Sequence, residues 1–138
     1  MSGIKFGTKV VCGNGERSII NEIEAGTYVT TYNVADSLKT SVIVSEIVKE
    51  VESSVISITV NSGDILVCSE NIEVYTVNSD WKLAKDLQVN DVVLNLELEE
   101  RVIEDVEVLN ESTEVCHLVL ESADIKSYIV TNNGILIR

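Results

Sequence analysis

Val55-Ile56-Ser57-Ile58-Thr59-Val60 runs into Asn61-Ser62-Gly63-Asp64 and then Ile65-Leu66-Val67. Ile56, Ile58 and Val60 fall on one side of an extended chain and Ser57 and Thr59 on the other, the period of two that marks a half-buried strand. Asn, Gly and Asp accept turn conformations that branched residues resist, so the stretch reads strand, tight turn, strand. The same reading extends outward in both directions. Over 102–108, Val102, Val106 and Val108 share a face with Asp105 and Glu107 opposite. Further strands are expected over 9–12, 27–32, 42–48, 64–67, 72–76, 91–94, 116–120 and 127–131, with turns at 13–15, 90–91 and 132–134. Proline is absent, and β-branched residues recur throughout, which favours strands. Two places read otherwise. Asp80 suits the cap of a short helix in which Trp81, Ala84 and Leu87 form an apolar stripe at i, i+3 and i+6, with Trp81 plugging the core. A second helical turn fits 18–23. The whole reads as an all-β chain, a sandwich or partly closed barrel.

The chain has 138 residues, 45% apolar, with 10 Lys and Arg against 23 Asp and Glu, a net charge of −13. This length suits one domain spanning 1–138, and it suffices for a core without disulfide staples. The acidic balance argues against a phosphate-backbone partner, so no nucleic acid is expected. No run approaches the roughly 20 apolar residues of a membrane-spanning helix, and no signal-peptide core opens the chain. Cys12, Cys68 and Cys116 are odd in number and lack a CxxC pair. With a single His in the chain, no metal site and no cofactor are expected. Three reduced, buried thiols imply an intracellular, cytoplasmic setting.

The order of several short motifs carries more information than composition. Gly7-Thr8-x-Val10 precedes Asn14-Gly15 and Ile20-x-x-Ile23-x-x-Gly26-x-x-Val29. Gly63-Asp64-Ile65-Leu66-Val67 follows, then Trp81-x-x-Ala84-x-x-Leu87-x-x-x-Asp91-x-Val93. Val115-x-x-Leu118, Tyr128-Ile129-Val130 and Asn133-Gly134-Ile135-Leu136-Ile137 close the series. This set resembles the Hint family, the Hedgehog and intein autoprocessing domains, along the whole chain. The resemblance implies a flat horseshoe of short, mostly antiparallel strands, with one or two short helical turns and adjoining chain ends. It also places the strands containing Thr8 and Ile135 side by side.

In that family a Cys or Ser at the first position attacks the preceding peptide carbonyl, a Thr-x-x-His motif polarises that peptide, and a terminal Asn cyclises. Such chemistry needs a nucleophile, a proton shuttle and oxyanion donors. The resemblance puts the nucleophile at Gly3, which has no side chain. Thr-x-x-His becomes Cys68-Ser69-Glu70-Asn71, and the Asn71 amide cannot shuttle a proton near neutral pH. His117 stands where the family often has Asp. Lys126 or Ser127 holds the place of a late His, and Arg138 holds the place of the closing His. These degenerate positions imply no catalytic residues and no enzyme activity.

Other candidates have bland readings. Cys116 and His117 are adjacent on a strand and point to opposite faces, so they make no dyad. Cys68 has no cationic sequence neighbour to lower its pKa. Glu97, Glu99, Glu100 and Glu104 belong to the densest acidic run; without calcium-loop spacing they read as a solvated face that steers a protein partner. The expected function is a non-processing module in a multi-protein assembly, such as a phage particle, which would make it virion-associated. The alternative is an intein-like self-cleaving domain whose nucleophile and terminal Asn were removed or truncated.

Overall fold

In a computed structural model, which describes residues 2–138, the chain runs through fourteen strands. The first seven are β1 (Ile4–Lys5), β2 (Lys9–Val11), β3 (Arg17–Ile19), β4 (Tyr28–Asn33), β5 (Leu38–Glu52), β6 (Val55–Val60) and β7 (Ile65–Cys68). The rest are β8 (Glu73–Thr76), β9 (Asp80–Leu83), β10 (Val92–Leu94), β11 (Glu100–Leu109), β12 (Thr113–Leu120), β13 (Tyr128–Val130) and β14 (Ile135–Ile137). They form an eight-stranded sheet in the order β10-β11-β6-β7-β1-β12-β5-β4 and a six-stranded sheet in the order β3-β2-β13-β14-β8-β9. The pairings within both sheets are antiparallel.

The 55–67 stretch forms its hairpin, β6 against β7, with Ile58 opposite Leu66. Ile56, Ile58 and Val60 are buried, as their alternation requires. Each such side chain contributes about 1.5–3 kcal/mol over leaving it in water. β1 lies at the centre of the large sheet, where Ile4 faces Cys68 on one side and Cys116 on the other. These residues join Val10, Leu118, Tyr128 and Ile137 in the core between the sheets. A smaller apolar cluster of Val11, Ile129, Leu136 and Tyr32 covers the opposite face of the six-stranded sheet.

Four expectations are corrected. The helix over 80–87 is strand β9 followed by a 3-10 turn, Ala84–Asp86. Asp80 makes no cap; it sits at φ 59° in the β8–β9 hairpin turn, and Trp81 pairs with Tyr75 across the strands. The turn over 18–23 likewise splits into β3 and a 3-10 turn, Ile20–Glu22. Strand pairing wins in both places because i, i+3 spacing fits one 3-10 turn as well as a helix. On β11, Ile103 is the buried residue, not Val102. A bulge between Ile103 and Asp105 flips the alternation, and Val108, on the hairpin's far end, is exposed. Finally, β2, which follows Thr8, is separated from β14 by β13.

Candidate functional site

Both chain ends dock on one short segment, Ser69 to Glu73. The Gly3 amide donates to Ser69 Oγ (2.9 Å), and the Ser69 amide donates to the Gly3 carbonyl (2.9 Å). At the segment's other end, Glu73 and Arg138 exchange backbone hydrogen bonds of 3.0 and 2.9 Å. The Arg138 guanidinium also reaches both Glu73 carboxylate oxygens at 3.2 Å and stacks 4.2 Å from the Trp81 ring centre. The intervening residues span no more than about 14 Å when extended, so the ends are neighbours. Asn71 is exposed in the middle of this segment.

Gly3 brings no nucleophilic side chain to the joined ends. Gly3 is buried, and a Cβ built on it would lie 2.9 Å from the Cys116 amide nitrogen and 3.0 Å from Val115 Cβ. The position is therefore shaped for glycine, beyond merely lacking a side chain. Burial pushes the Cys68 thiol up to about 12. Burial also pushes Cys116 up to about 11, against a smaller opposing effect of the Lys49 charge. Both thiols stay protonated near neutral pH and are poor nucleophiles. They lie one strand either side of Ile4, about 9–10 Å apart by strand spacing, which is too far for a disulfide.

His117 and Cys116 point apart. Cys116 Sγ donates to the Ile20 carbonyl in the core (3.6 Å), while His117 Nδ1 meets the Tyr128 hydroxyl at 2.9 Å. Tyr128 Oη is buried and accepts from the Leu118 amide (3.2 Å). Burial holds His117 below its ordinary pKa, which favours the neutral ring, and the ring's tautomer sets whether Nδ1 or the phenol donates in this bond.

Two antiparallel sheets bent into one body, with both chain ends drawn to a single segment, match known structures over their full length. The solution structure of the bacterial intein-like domain from Clostridium thermocellum superposes with a TM-score of 0.91 at 21% identity, covering 100% of this chain and 99% of that one. This is the Hint fold. A DnaB intein from Synechocystis sp. PCC 6803 gives a TM-score of 0.83 at 15% identity over 100% and 98% of the two chains. The TvoVMA intein gives 0.83 at 12% identity over 99% and 96%. No protein-family profile matches the sequence, and no curated protein matches it significantly.

On this Hint fold Gly3 lies against Ser69 and Arg138 against Glu73, at opposite ends of one segment, with Cys68 buried just before it and Asn71 exposed within it. Ser69, inside the Cys68–Asn71 motif, is not singled out by the sequence reading; its signal is a hydroxyl directly after a strand whose Leu66 and Cys68 are buried. Glu73 and Tyr128 were also missed, because their partners lie far away in sequence. Next to Arg138 opens a cleft of about 340 Å³ between the β4–β5 hairpin, Trp81 and residues 124–127. Lys126 and Ser127 line it, and the Ser127 hydroxyl bonds the Thr31 hydroxyl at 2.8 Å.

The acidic run lies elsewhere, in the β10–β11 connection and along β11. Glu97, Glu99, Glu100 and Glu104 are exposed. Glu99 pairs with Arg101 (3.1 Å) and accepts from Asn95 Nδ2 (3.1 Å), while Glu104 occupies the β11 bulge. Among the described residues no group of three or more His, Cys, Asp or Glu side chains is placed to hold a metal ion.

Proposed function

We propose that this chain is a Hint-fold module that does not process itself and acts as a structural or protein-binding component of a larger assembly. Gly3 carries the reading. An acyl shift at the preceding peptide needs a side-chain nucleophile at that position, and the β12 backbone occupies the space where one would begin. Neighbouring groups do not stand in. The thiols of Cys68 and Cys116 are protonated, and Ser69 Oγ accepts from the Gly3 amide with no imidazole or carboxylate bonded to it among the described residues. Without that chemistry the molecule acts through its surfaces, and the exposed Glu97–Glu104 carboxylates would speed encounter with a basic partner.

The competing reading, an intein-like self-cleaving domain, draws on the likeness to inteins and requires a different residue at position 3. Reporter peptides fused upstream of Gly3 and downstream of Arg138 separate the two when intact mass is followed for a day with and without thiol. The expected result is neither cleavage nor ligation. A Gly3→Cys substitution should not restore cleavage, because its Cβ would meet the Cys116 backbone at 2.9 Å. Thiol-dependent release of the upstream peptide from the unaltered chain would overturn the proposal.

A further inference from the structure

We propose that the open edge of β11, over residues 105–109, takes up an extended segment of a partner protein that alternates basic and apolar residues. This deepens the reading of the chain as a protein-binding module and rests on it. β10 covers only the start of β11, pairing with residues 100–102, and Asn90 and Asp91 exchange backbone bonds with Ile103. Beyond Ile103, the side of β11 turned away from β6 has no strand beside it.

Backbone alternation decides which groups face outward. Val60 donates to the Asp64 carbonyl across the β6–β7 hairpin (2.9 Å). Val60, Ile58 and Ile56 therefore bond towards β7, and Thr59, Ser57 and Val55 towards β11. Asp105, Glu107 and Leu109 stand opposite those last three. The amides and carbonyls of Val106 and Val108 are thus turned away from β6, and neither residue makes another backbone bond among the described residues. Their side chains lie on the core face, opposite Ile58 and Ile56, and Val108 is 59% exposed at its rim.

Charge selects the occupant. Asp105 and Glu107 are exposed on the other face, opposite Thr59 and Ser57, and neither is in an ion pair among the described residues. A second copy of this edge does not fit. Two-fold antiparallel pairing through Val106 and Val108 centres on Val106, Glu107 or Val108. These registers set Asp105 against Glu107, Glu107 against itself, or Asp105 against Glu111, and like charges directly opposite one another weaken a strand pair. A strand with Lys or Arg at every second residue instead places its cations against Asp105 and Glu107 and its apolar residues beside Val106 and Val108. The matching stretch of β5, beyond its pairing with β4, is blunted. Three residues after each ladder resumes past its register shift, β5 has Lys49 and β11 has Val108. The Lys49 ammonium lies over the Phe6 ring, 5.9 Å from its centre. A lysine on an edge disfavours strand addition, and β11 lacks one at this place.

The probe is an acetylated, amidated heptapeptide, Thr-Val-Lys-Val-Lys-Val-Thr, with a control in which both Lys are Glu. Titrated into the full chain, the Lys peptide should saturably slow hydrogen exchange of the Val106 and Val108 amides, read by NMR, and leave the β5 amides unchanged. The Glu peptide should bind about tenfold more weakly, and salt at about 1 M should weaken the Lys peptide. Val108→Lys should lower affinity about tenfold and Glu107→Gln severalfold. Both side chains are exposed, so the circular dichroism should not change. Equal affinity for the two peptides, no saturation up to about 10 mM, protection on β5 instead of β11, or full affinity in the Val108→Lys variant would overturn the site. Intact mass of the same samples keeps the two proposals apart. Absent binding without cleavage removes this site and leaves the loss of processing standing, whereas cleavage with Lys-dependent protection of β11 does the reverse.

Discussion

In the first half of the chain the Ile20 amide donates to the Thr8 carbonyl (2.8 Å), and in the second the Ala84 amide donates to the Ile72 carbonyl (2.7 Å). Gly26 and Thr27 exchange bonds with Val44 at 2.8 and 2.9 Å, and Asn90 and Asp91 do the same with Ile103 at the same two distances. A register shift recurs at matching places, at Ser45 between Val44 and Glu46 and at Glu104 between Ile103 and Asp105. The halves are thus two copies of one backbone plan, meeting where β1 and β7 pair. Their side chains have diverged. Thr27 is half-buried, whereas its counterpart Asp91 is buried and accepts from Lys82 Nζ (2.9 Å), the Gln88 amide (2.9 Å) and Asn78 (3.3 Å). Lys9 accepts from the amide of an internal residue, Thr131 (2.8 Å), where Glu73 accepts from the end residue Arg138 (2.9 Å). A backbone ladder survives wide side-chain change, and the candidate site arises where one copy holds chain ends and the other does not.

Asp91 gives the sharpest test of this divergence. Burial alone would raise its pKa, but hydrogen bonds from Lys82, Gln88 and Asn78 and the Lys82 charge outweigh it and hold the carboxyl below its ordinary value. Asp91→Ala should cost about 3 kcal/mol, because it strands a partly buried ammonium and a backbone amide. Thr27→Ala should cost less than about 0.5 kcal/mol. Urea midpoints measure both, and equal costs would break the comparison. The folded pKa is the lower one, so Asp91's contribution is present above the unfolded value of about 3.9 and is lost as pH falls through the folded value. Parent and Asp91→Ala stabilities should therefore converge in acid.

The central strands supply a smaller contrast. Tyr128 on β13 matches Ile135 on β14, but only Tyr128 ties β12 to the second sheet through His117 and the Leu118 amide. Tyr128→Phe should cost about 1.5 kcal/mol, since it leaves a buried amide short of an acceptor. His117 has its folded pKa depressed by burial. Its contribution is thus present above the unfolded value of about 6.5 and is lost as pH falls through the folded value. Because burial alone sets this shift, Tyr128→Phe, which keeps the burying ring, should leave that pH dependence unchanged in urea titrations between about pH 5 and 7. A changed slope would tie the Tyr128 hydroxyl itself to the His117 titration.

The smallest effect concerns the shared left-handed turn position, filled by Gly26 at φ 95° and by Asn90 at φ 79°. Gly26→Ala should cost about 1 kcal/mol, while Asn90→Gly should stay within about 0.5 kcal/mol because Asn already tolerates this region. Thermal midpoints would resolve the difference as a few degrees. A neutral Gly26→Ala would mean that the two turns are not equivalent.

Much of this plan is visible in the sequence. Ile20-x-x-Ile23-x-x-Gly26-Thr27-x-Val29 and Ala84-x-x-Leu87-x-x-Asn90-Asp91-x-Val93 share their spacing, because each 3-10 turn and the strand after it need apolar residues at the same steps. The 80–87 stretch was misread because pattern alone cannot distinguish a 3-10 turn leaving a hairpin from a short helix; pairing with β8 decides it. Val102 was misplaced because a bulge leaves no mark in the alternation until the opposing strand is known.

By itself the sequence determined the strand periodicity, the turns and the absence of a side chain at Gly3, since these depend on local chemistry. Only the tertiary structure decided that Gly3 is pressed against Cys116, that Ser69 to Glu73 holds both ends, and that Arg138 stacks on Trp81. Those contacts join residues 65 to 113 positions apart except where Arg138 meets Trp81. Such pairs are set by sheet order and register, which depend on the sum of many cross-strand contacts and are not encoded at any one position.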